Sequence, residues 1–390
     1  MTNRDWPDLS GKTILQVIPD LSAGGAERTT VEMAEAITGA GGRALVVSEG
    51  GRLEPSLKRA GGELIRLQAS SKNPLTIRAN TKKLVELMGS EQVSLVHARS
   101  RAPAWSAYRA CQQTGTPFVT TYHGAYSGVT GLKRRYNSVM AKGDLVIANS
   151  DWTAAHVIAV HGIDPARIVT IPRGVDFASF DPQQVAPDRL QALQTAWHIQ
   201  DDDRRTLLLL PGRLTSWKGQ KIAIQAVAGL SGLERQKLHL VLAGDAQGRT
   251  KYLNELEDAI LEHGLGGCVS IVGHCADMPA AYALADIILA PSTRPEAFGR
   301  VAAEASAMAR PVIVADHGGQ REIVVEGQTG TRAEPGSVPS LTACIRAITS
   351  LPPAAQKAMG EAGQAYVRQR FSKKQLQQAT LGVYARLLEP

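Results

Sequence analysis

At 390 residues the chain is long enough for two domains, since roughly 150 residues per domain is typical, and too long for a small disulfide-stapled module. Hydrophobic residues make up 44% of the sequence and charged residues 20%, which excludes a chain that is disordered throughout. Lysine and arginine number 43 against 36 acidic residues, a net charge of +7 that favours anionic partners without choosing among nucleic acid, a membrane surface and phosphorylated metabolites.

From Lys12 onward, short β-branched or leucine-rich segments alternate with longer amphipathic segments. This alternation is typical of β-α-β units and predicts an α/β fold with a parallel sheet. We assign residues 1–178 to a first domain. Its predicted strands are Thr13–Ile18, Ala44–Ser48, Leu64–Leu67, Ser94–His97, Phe118–Thr121, Leu145–Ala148 and Ile168–Ile171.

Residues 179–205 interrupt the alternation with Pro182, Pro187 and an acidic run, Asp201–Asp203, and we interpret them as an interdomain connection. The acidic run resembles a metal-binding D-x-D motif, but a solvated linker is the favoured interpretation. A second series at residues 206–372 predicts another parallel sheet. Its strands are Leu207–Leu210, Leu238–Ala243, Val269–Val272, Ile287–Ala290 and Pro311–Val314.

The four cysteines form no C-x-x-C pair and no zinc-site spacing, which indicates reduced thiols in a cytoplasmic protein. The N-terminus is polar, and no segment reaches the roughly 18 uninterrupted apolar residues of a membrane span. We therefore expect a cytoplasmic protein that touches a membrane only from its inner face. The cysteines are Cys111, Cys268, Cys275 and Cys344.

Three loops that follow predicted strands carry candidate binding groups. The first contains Gly24 and Gly25 before a helix, where backbone N–H groups can approach an anion, although a tight turn fits the pair equally well. The second contains Arg213 and Lys218, a guanidinium and an ammonium suited to a diphosphate, with surface salt bridging as the alternative.

The third loop carries two carboxylates eight positions apart, Glu296 and Glu304. Glu304 is expected about two turns into an alanine-rich helix, so that both carboxylates line one wall of a cleft. Carboxylates accept hydrogen bonds from sugar hydroxyls. The next strand ends in another glycine pair, Gly318-Gly319, whose N–H groups we expect to be exposed.

Taken in order, these segments resemble the retaining glycosyltransferases of the GT-B fold, specifically family four with its E-x7-E motif. That resemblance implies two facing Rossmann-like domains: an N-terminal acceptor-binding domain that is joined by the C-terminal helix 373–390, and a C-terminal domain that binds a nucleotide sugar. The match covers nearly the whole chain: Gly24-Gly25-Ala26-Glu27, Tyr122-His123-Gly124, Asn149-Ser150, Ile171–Asp176, Gly212-Arg213, Lys218-Gly219, Glu296–Glu304 and Gly318-Gly319. Arg173 stands where many relatives have Asn, a departure that concerns loop contacts near the hinge.

The resemblance also implies roles for single residues. Arg213 and Lys218 would hold the donor diphosphate, approached by Gly25, and His123 would face the reacting side of the sugar. These cations stabilise the charge that develops on a departing diphosphate, so neither a metal nor a cofactor is expected. The remaining donor contacts would come from Glu296, Phe298, Gly299, Glu304 at the ribose, the Gly318, Gly319 and Gln320 amides, and His274 beside the base.

Acceptor contacts are expected from Arg99 and Arg101, which follow a strand of the first domain, and the stretch resembles transferases of lipopolysaccharide-core synthesis, several of which use GDP-mannose. Residues 132–142 would place Leu132, Tyr136 and Val139/Met140 on one helical face, beside the cations Lys133, Arg134 and Arg135. An anionic membrane surface and an ordinary amphipathic core helix both fit this pattern.

Three other classes of protein remain open. A GT-B-fold nucleotide-sugar epimerase would need further acid/base carboxylates, and a cofactor-dependent sugar phosphorylase would need a pyridoxal lysine in a much longer chain. A non-enzymatic nucleic-acid binder would rest on the basic charge alone, without the clustered aromatic and basic residues that such proteins use. The sequence therefore favours a retaining, metal-independent hexosyltransferase that moves a sugar from a nucleoside-diphosphate donor to a glycan or glycolipid acceptor.

Overall fold

The computed structural model describes residues 6–22, 24–124, 126, 131–200 and 203–389. These residues form two compact units: one comprises the residues up to Pro172 together with those from Lys373 onward, and the other comprises Arg173–Ser372. Ala23, Asp201 and Asp202, which belong to segments singled out in the sequence, lie outside the described residues.

Every predicted strand is confirmed, and each of its ends lies within one residue of the predicted end. The sequence did not predict the last strand, since its residues, Gly-Thr-Arg-Ala, lack a β-branched or leucine-rich run. The described residues form thirteen strands: β1 (Thr13–Val17), β2 (Arg43–Ser48), β3 (Glu63–Arg66), β4 (Val93–Ala98), β5 (Phe118–Tyr122), β6 (Leu145–Ala148), β7 (Ile168–Thr170), β8 (Thr206–Pro211), β9 (Leu238–Ala243), β10 (Val269–Gly273), β11 (Ile287–Ala290), β12 (Val312–Ala315) and β13 (Gly330–Ala333).

Helices alternate with the strands, and short 3₁₀ turns at Ser138–Ala141, Ser216–Lys218 and Gly319–Glu322 complete three of the connections. The α-helices among the described residues are α1 (Gly25–Gly39), α2 (Glu54–Arg59), α3 (Pro74–Ser90), α4 (Arg101–Thr114), α5 (Gly131–Asn137), α6 (Asp151–His161), α7 (Pro187–Ala196), α8 (Gln220–Ala228), α9 (Gly232–Gln236), α10 (Thr250–Glu262), α11 (Met278–Leu284), α12 (Arg300–Ala307), α13 (Val338–Thr349), α14 (Pro353–Arg370) and α15 (Lys373–Leu388).

The first unit is a parallel sheet with strand order β3-β2-β1-β4-β5-β6-β7 and helices on both faces. Side chains alternate along β1, so that Ile14 and Ile18 pack with α1 and α15 while Leu15 and Val17 pack with α3 and α4. Covering both faces explains why the strands read as continuous apolar runs.

The second unit repeats this plan with strand order β10-β9-β8-β11-β12-β13. The strand order reverses between β8 and β11, and in open α/β sheets ligands bind at the carboxyl ends of strands flanking such a reversal. The loops that carry Arg213, Lys218 and Glu296 follow these two strands. The fold therefore brings the main candidate residues of this unit to one edge of its sheet.

Residues 179–200, expected to connect the two domains, pack instead as part of the second unit. Phe180 and Trp197 are buried in its core, and both Nε and Nη2 of Arg189 bond the Asp277 carboxylate at 2.8 and 2.7 Å. Pro182 and Pro187 did not reveal this packing, because prolines occur in packed irregular segments as well as in solvated linkers.

The last helix, α15, returns to the first unit and packs on α1. Its Tyr384 is fully buried, and the Tyr384 hydroxyl bonds His97 Nδ1 at 2.7 Å. The other ring nitrogen of His97 bonds Thr121 Oγ1, also at 2.7 Å. A buried polar chain therefore links β5, β4 and the C-terminal helix.

Replacing Tyr384 by Phe should lower the free energy of unfolding of the first unit by about 1–3 kcal/mol, because it leaves a buried ring nitrogen of His97 without its partner. Urea denaturation would measure this change. Tyr108→Phe is the matched control, since the Tyr108 hydroxyl has no hydrogen-bond partner among the described residues. Equal free energies of unfolding for the two variants would contradict a stabilising role for the hydrogen bond between Tyr384 and His97.

Acidification should destabilise the first unit through His97. Burial lowers the pKa of His97 well below its usual 6.5, and the electrostatic effects of Arg99 and His123 act in the same direction. Below about pH 6.5, His97 is therefore protonated in the unfolded chain but stays neutral in the folded chain. The free energy of unfolding is retained above that pH and falls below it. Between pH 7 and pH 5, the free energy of unfolding should fall less for His97→Gln than for the unaltered protein, as measured by chemical denaturation. An equal fall in both proteins would contradict the role of His97.

Candidate functional site

The loop after β8 is shaped by glycines that no other residue could replace. Gly219 has φ of +83°, and a Cβ there would lie 2.2 Å from the Pro291 carbonyl oxygen. A Cβ at Gly244 would lie 1.8 Å from the Gly212 carbonyl oxygen. These close approaches hold the loop against the ends of β9 and β11.

Arg213 and Lys218 differ in their surroundings. The Arg213 side chain is exposed and makes no hydrogen bond or ion pair with any residue that the structure describes. The Lys218 stem runs past Gly212, where a Cβ would lie 3.6 Å from Lys218 Cδ. The loop therefore presents an unengaged guanidinium and, close to it, an ammonium that is already engaged.

Lys218 Nζ contacts Glu296 Oε1 at 2.8 Å, and the two side chains are only 14% and 13% exposed. The Ser292 hydroxyl donates to the same oxygen, Oε1. Glu296 Oε2 has no hydrogen-bond partner within the described part of the chain. One oxygen of this carboxylate is thus fixed by the protein, and the other remains able to accept a hydrogen bond from a ligand.

Opposing effects set the pKa of Glu296. Burial raises it, but the Lys218 charge, the hydrogen bonds from Lys218 and Ser292 and the electrostatic effect of His317 lower it by more, so the net pKa lies below the usual value. Glu296 is therefore a carboxylate, not a carboxylic acid, at neutral pH. It can accept hydrogen bonds there but has no proton to donate.

Two neighbouring segments brace the Glu296 loop. On one side, the Thr293 N–H donates to the Trp217 carbonyl at 2.7 Å. On the other, His317 Nε2 bonds the Ser292 carbonyl at 2.7 Å, and the Gly319 N–H donates to the Glu296 carbonyl at 2.8 Å. The sequence did not predict these roles for Ser292 and His317; the position of His317 directly before the glycine pair was the available signal.

Glu304 lies about one turn into α12, not two, because the helix begins only at Arg300. Its Oε1 pairs with Arg300 Nη2 at 2.7 Å, and the buried Tyr282 hydroxyl donates to Oε2 at 3.2 Å. Burial, with Glu304 beside it, raises the pKa of Tyr282 well above its usual value. Tyr282 therefore remains a hydrogen-bond donor that orients Glu304.

The other expected donor contacts have mixed outcomes. The Phe298 side chain is in the core, edge-on to Phe371, and Gly299 adopts φ of +100° at the start of α12. The Gln320 side chain folds back to the Ala315 carbonyl, and the Gly319 N–H is taken by Glu296, which corrects the expectation that it is exposed. Gly318 adopts a φ of +67° and packs against the Glu296 backbone. His274 is exposed directly after β10.

In the first unit, Gly24 is extended and Gly25 begins α1, so neither needs glycine for its backbone angles. His123 follows β5, and its Nδ1 lies 3.3 Å from Asn149 Nδ2, which follows β6. Both side chains thus stand at the carboxyl edge of the first sheet. The roles that the resemblance gives to Gly24, Gly25 and His123 remain predictions.

The two expected acceptor cations both contact other residues of the first unit. Arg99 is only 2% exposed, and its Nε donates to Gln16 Oε1 at 2.7 Å beneath α1, where burial lowers the pKa of Arg99. Arg101 donates to Asn137 Oδ1 at 2.8 Å and lies over the Tyr126 ring, 4.1 Å from its centre. Arg99 is therefore buried, although its Nη2 has no hydrogen-bond partner in the described part of the chain, and Arg101 is held by Asn137 and Tyr126. That either guanidinium contacts an acceptor stays a prediction.

The helical face expected at residues 132–142 is also wrong. α5 ends at Asn137 and a 3₁₀ turn follows, so the 3.6-residue period does not extend across the segment. Val139 and Met140 are buried, whereas Leu132 is 84% exposed. Lys133, Arg134 and Arg135 are exposed as expected.

The described residues contain neither a membrane-spanning helix nor a metal-binding cluster. None of their helices combines the length and apolar character needed to cross a bilayer. No group of three or more His, Cys, Asp or Glu side chains among them is arranged to hold a metal ion. The cysteines are free thiols, and all but the partly exposed Cys344 are buried.

Two Rossmann-like parallel sheets, with cations after the first strand of the second sheet and E-x7-E after its fourth, define the GT-B class of glycosyltransferases. Family comparisons agree: the model for Glycosyltransferase Family 4 matches residues 23–179, and that for Glycosyl transferases group 1 matches residues 195–366. The crystal structure of a glycosyltransferase from Rickettsia africae ESF-5 is 33% identical, with a TM-score of 0.87 over 97% of this chain and 99% of that chain. The chain belongs to this group 1 and family 4 superfamily.

More distant relatives extend the comparison. The D-inositol 3-phosphate glycosyltransferase of Kineococcus radiotolerans is 32% identical over 265 residues, which are 64% of this chain and 59% of that protein. The chain thus aligns with little more than half the length of this curated relative. HepE of Anabaena, solved in complex with UDP, is 24% identical with a TM-score of 0.82 over 96% of this chain and 100% of that chain, a likeness of fold.

Removing the Lys218 ammonium alone should destabilise the second unit. Lys218→Met leaves the buried Glu296 carboxylate without its cation, which should cost about 3–5 kcal/mol at pH 7. The unpaired carboxyl should then have a raised pKa, so the deficit should shrink as the pH falls and Glu296 takes up a proton. Chemical denaturation at pH 7 and pH 4 would measure both effects.

Lys218→Met combined with Glu296→Gln is the matched control, since it removes both charges and keeps a group that accepts the Ser292 hydrogen bond. It should recover most of the stability lost by the single variant. A double variant no more stable than Lys218→Met would show that lost packing, not an unpaired charge, causes the destabilisation.

Proposed function

We propose that the protein transfers a glycosyl group from a nucleoside-diphosphate sugar to an acceptor, with retention of anomeric configuration. The observation that carries this proposal is the cluster after β8 and β11: an exposed Arg213, a Lys218 ammonium and a Glu296 carboxylate. Among the described residues, Arg213 has no partner and one oxygen of Glu296 is unengaged. Membership of the glycosyltransferase superfamily supports it.

Arg213 and Lys218 would stabilise the leaving group. When the bond between sugar and diphosphate breaks, negative charge develops on phosphate oxygens, and preorganised cations lower the energy of that state most. The Arg213 fork suits two phosphate oxygens, while Lys218 is a point charge on a flexible stem. We propose that these two cations make a divalent ion unnecessary.

The two carboxylates of the E-x7-E motif would divide the recognition of the donor. The unengaged Oε2 of Glu296 suits a sugar hydroxyl, and Glu304 suits the ribose hydroxyls. For this, the ion pair between Glu304 and Arg300 must lengthen, or Glu304 must bond Arg300 and the ribose together. His274, exposed beyond β10, would lie near the base. Retention would then arise from a front-face displacement in which the departing phosphate accepts the acceptor proton.

Two acceptor classes remain in competition. Relatives named D-inositol 3-phosphate glycosyltransferases favour a phosphorylated polyol. The resemblance to transferases of lipopolysaccharide-core synthesis favours a cell-envelope glycan or glycolipid, with a hexose such as mannose given by GDP-mannose. UDP bound in HepE makes a uridine donor the first to test.

A thermal-shift screen with UDP, GDP and ADP sugars would identify the donor, because a ligand that binds the folded state raises its stability with occupancy. Nucleoside diphosphate should then be released only when an inositol phosphate or a core-oligosaccharide acceptor is added. Release should persist in EDTA, and the product should keep the anomeric configuration of the donor. Release without any acceptor, or a product that is an epimer of the donor sugar, would contradict glycosyl transfer.

Arg213→Ala should lower kcat/KM by about 100-fold or more, in the range measured for loss of one group that stabilises transition-state charge. It should leave the melting temperature unchanged, since Arg213 is exposed and unpaired within the described residues. Arg204→Ala is the matched control, an exposed arginine just before the amino end of the same strand, β8. Similar activity in the two variants would remove Arg213 from the site.

A further inference from the structure

The positive charge of this protein is concentrated in two segments of the first unit. Residues 64–85 contain five lysines and arginines, residues 92–143 contain seven, and neither segment contains an aspartate or glutamate. Without these twelve cations, 31 lysines and arginines remain against 36 acidic residues, so the rest of the chain has a net charge of −5. The overall charge of +7 therefore originates here.

These segments contain α4, α5 and α3 up to residue 85, and α3 packs against α4; the end of α3 adds one exposed acidic residue, Glu86. Of the twelve cations, Arg66 pairs with Glu54, Arg99 is buried and Arg101 bonds Asn137. The other nine are exposed and form no ion pair with any residue in the described ranges: Lys72, Arg78, Lys82, Lys83, Arg109, Lys133, Arg134, Arg135 and Lys142.

A cleft of about 320 Å³ lies among these helices. Aromatic and aliphatic side chains, among them Trp105, Tyr136 and Leu132, form much of its wall. The charged side chains that line it are all cations: Lys72, Arg109 and Arg135. An apolar cleft edged only by positive charge fits a molecule that is both apolar and anionic.

Two large apolar side chains project from this region. Leu132, at the cleft, is 84% exposed, and Leu75, next to the cleft residue Pro74, is 77% exposed. Exposed leucines have an unfavourable contact with water that a hydrocarbon surface would relieve. A polyanion such as nucleic acid would neutralise the cations but would leave these leucines in water.

We propose that this face of the first unit, formed by the exposed cations of α3, α4 and α5 with Leu75 and Leu132, docks on an anionic lipid bilayer. The cations lie at the headgroups, where anionic lipids concentrate negative charge. Leu75, Leu132 and the aromatic wall of the cleft enter the boundary between headgroups and acyl chains. This surface replaces the single helical face expected from residues 132–142.

The test is co-sedimentation of the full chain, without any donor sugar, with vesicles of phosphatidylcholine alone or mixed with phosphatidylglycerol. Binding should require phosphatidylglycerol and should fall steeply as salt rises, because salt screens exposed charges. Binding that is equal on both vesicles, or absent from both, would overturn the proposal. Since donor binding is measured separately by thermal shift, this failure would leave the proposed transferase activity untouched.

Matched variants identify the surface. Leu75→Ser with Leu132→Ser should weaken vesicle binding about tenfold or more, the effect of losing buried apolar area. Leu233→Ser with Leu261→Ser is the control, since these second-unit leucines are 73% and 81% exposed. Equal binding by the two double variants would show that the leucines do not enter the bilayer.

A second pair of variants tests the charges. Arg134→Gln with Arg135→Gln should weaken binding to the anionic vesicles, while Arg249→Gln with Lys251→Gln, an equal charge loss on the second unit, should not. Duplex DNA serves as a competing polyanion. If DNA binds as tightly as the vesicles and the leucine variants bind both normally, the face is a general polyanion surface and the proposal is wrong.

Discussion

The candidate site of the second unit depends on one partly buried carboxylate. Glu296 Oε1 accepts from both Lys218 and Ser292, and its main-chain carbonyl accepts from Gly319, so three loops meet at a single residue. A buried carboxylate is stable only with such partners, because desolvation otherwise favours its neutral form. The same contacts that keep Glu296 ionised therefore also fix the loops around it.

This arrangement separates two demands that one side chain must meet. A group that recognises a ligand needs an unengaged atom, while a group that organises a fold needs atoms bonded to the surrounding chain. Glu296 meets both, because its two oxygens have different surroundings. Arg213, exposed and unpaired within the described residues, serves only the first demand, which explains why we expect its loss to affect activity but not stability.

The fold was largely predictable from the sequence, and the side-chain partners were not. Strands buried on both faces of a parallel sheet appear as apolar runs, so their ends could be located to within a residue. Arg99 shows the limit: its position after a strand is equally typical of an acceptor contact and of a buried anchor. The burial of its guanidinium and its bond to Gln16 depend on residues distant in sequence.

Residues 132–142 show a second limit. A helical period can be extrapolated along a sequence, but the switch from α5 to a 3₁₀ turn at Ser138 redirects the side chains that follow. Val139 and Met140 then enter the core while Leu132 stays exposed. Similarly, the hydrogen bond from His317 to the Ser292 carbonyl joins residues 25 positions apart, which no local pattern encodes.

The return of α15 to the first unit has a consequence for the order of events on the ribosome. Chains are synthesised from the N-terminus, and domains generally fold as they emerge. Here, however, His97 and the core beneath α1 obtain Tyr384 and its apolar neighbours only after residues 173–372 have been made. The second unit, continuous from Arg173 to Ser372, can complete its core while the first is still missing a helix. The residues of the first unit that precede Arg173 therefore gain their last helix only after the whole second unit has been synthesised.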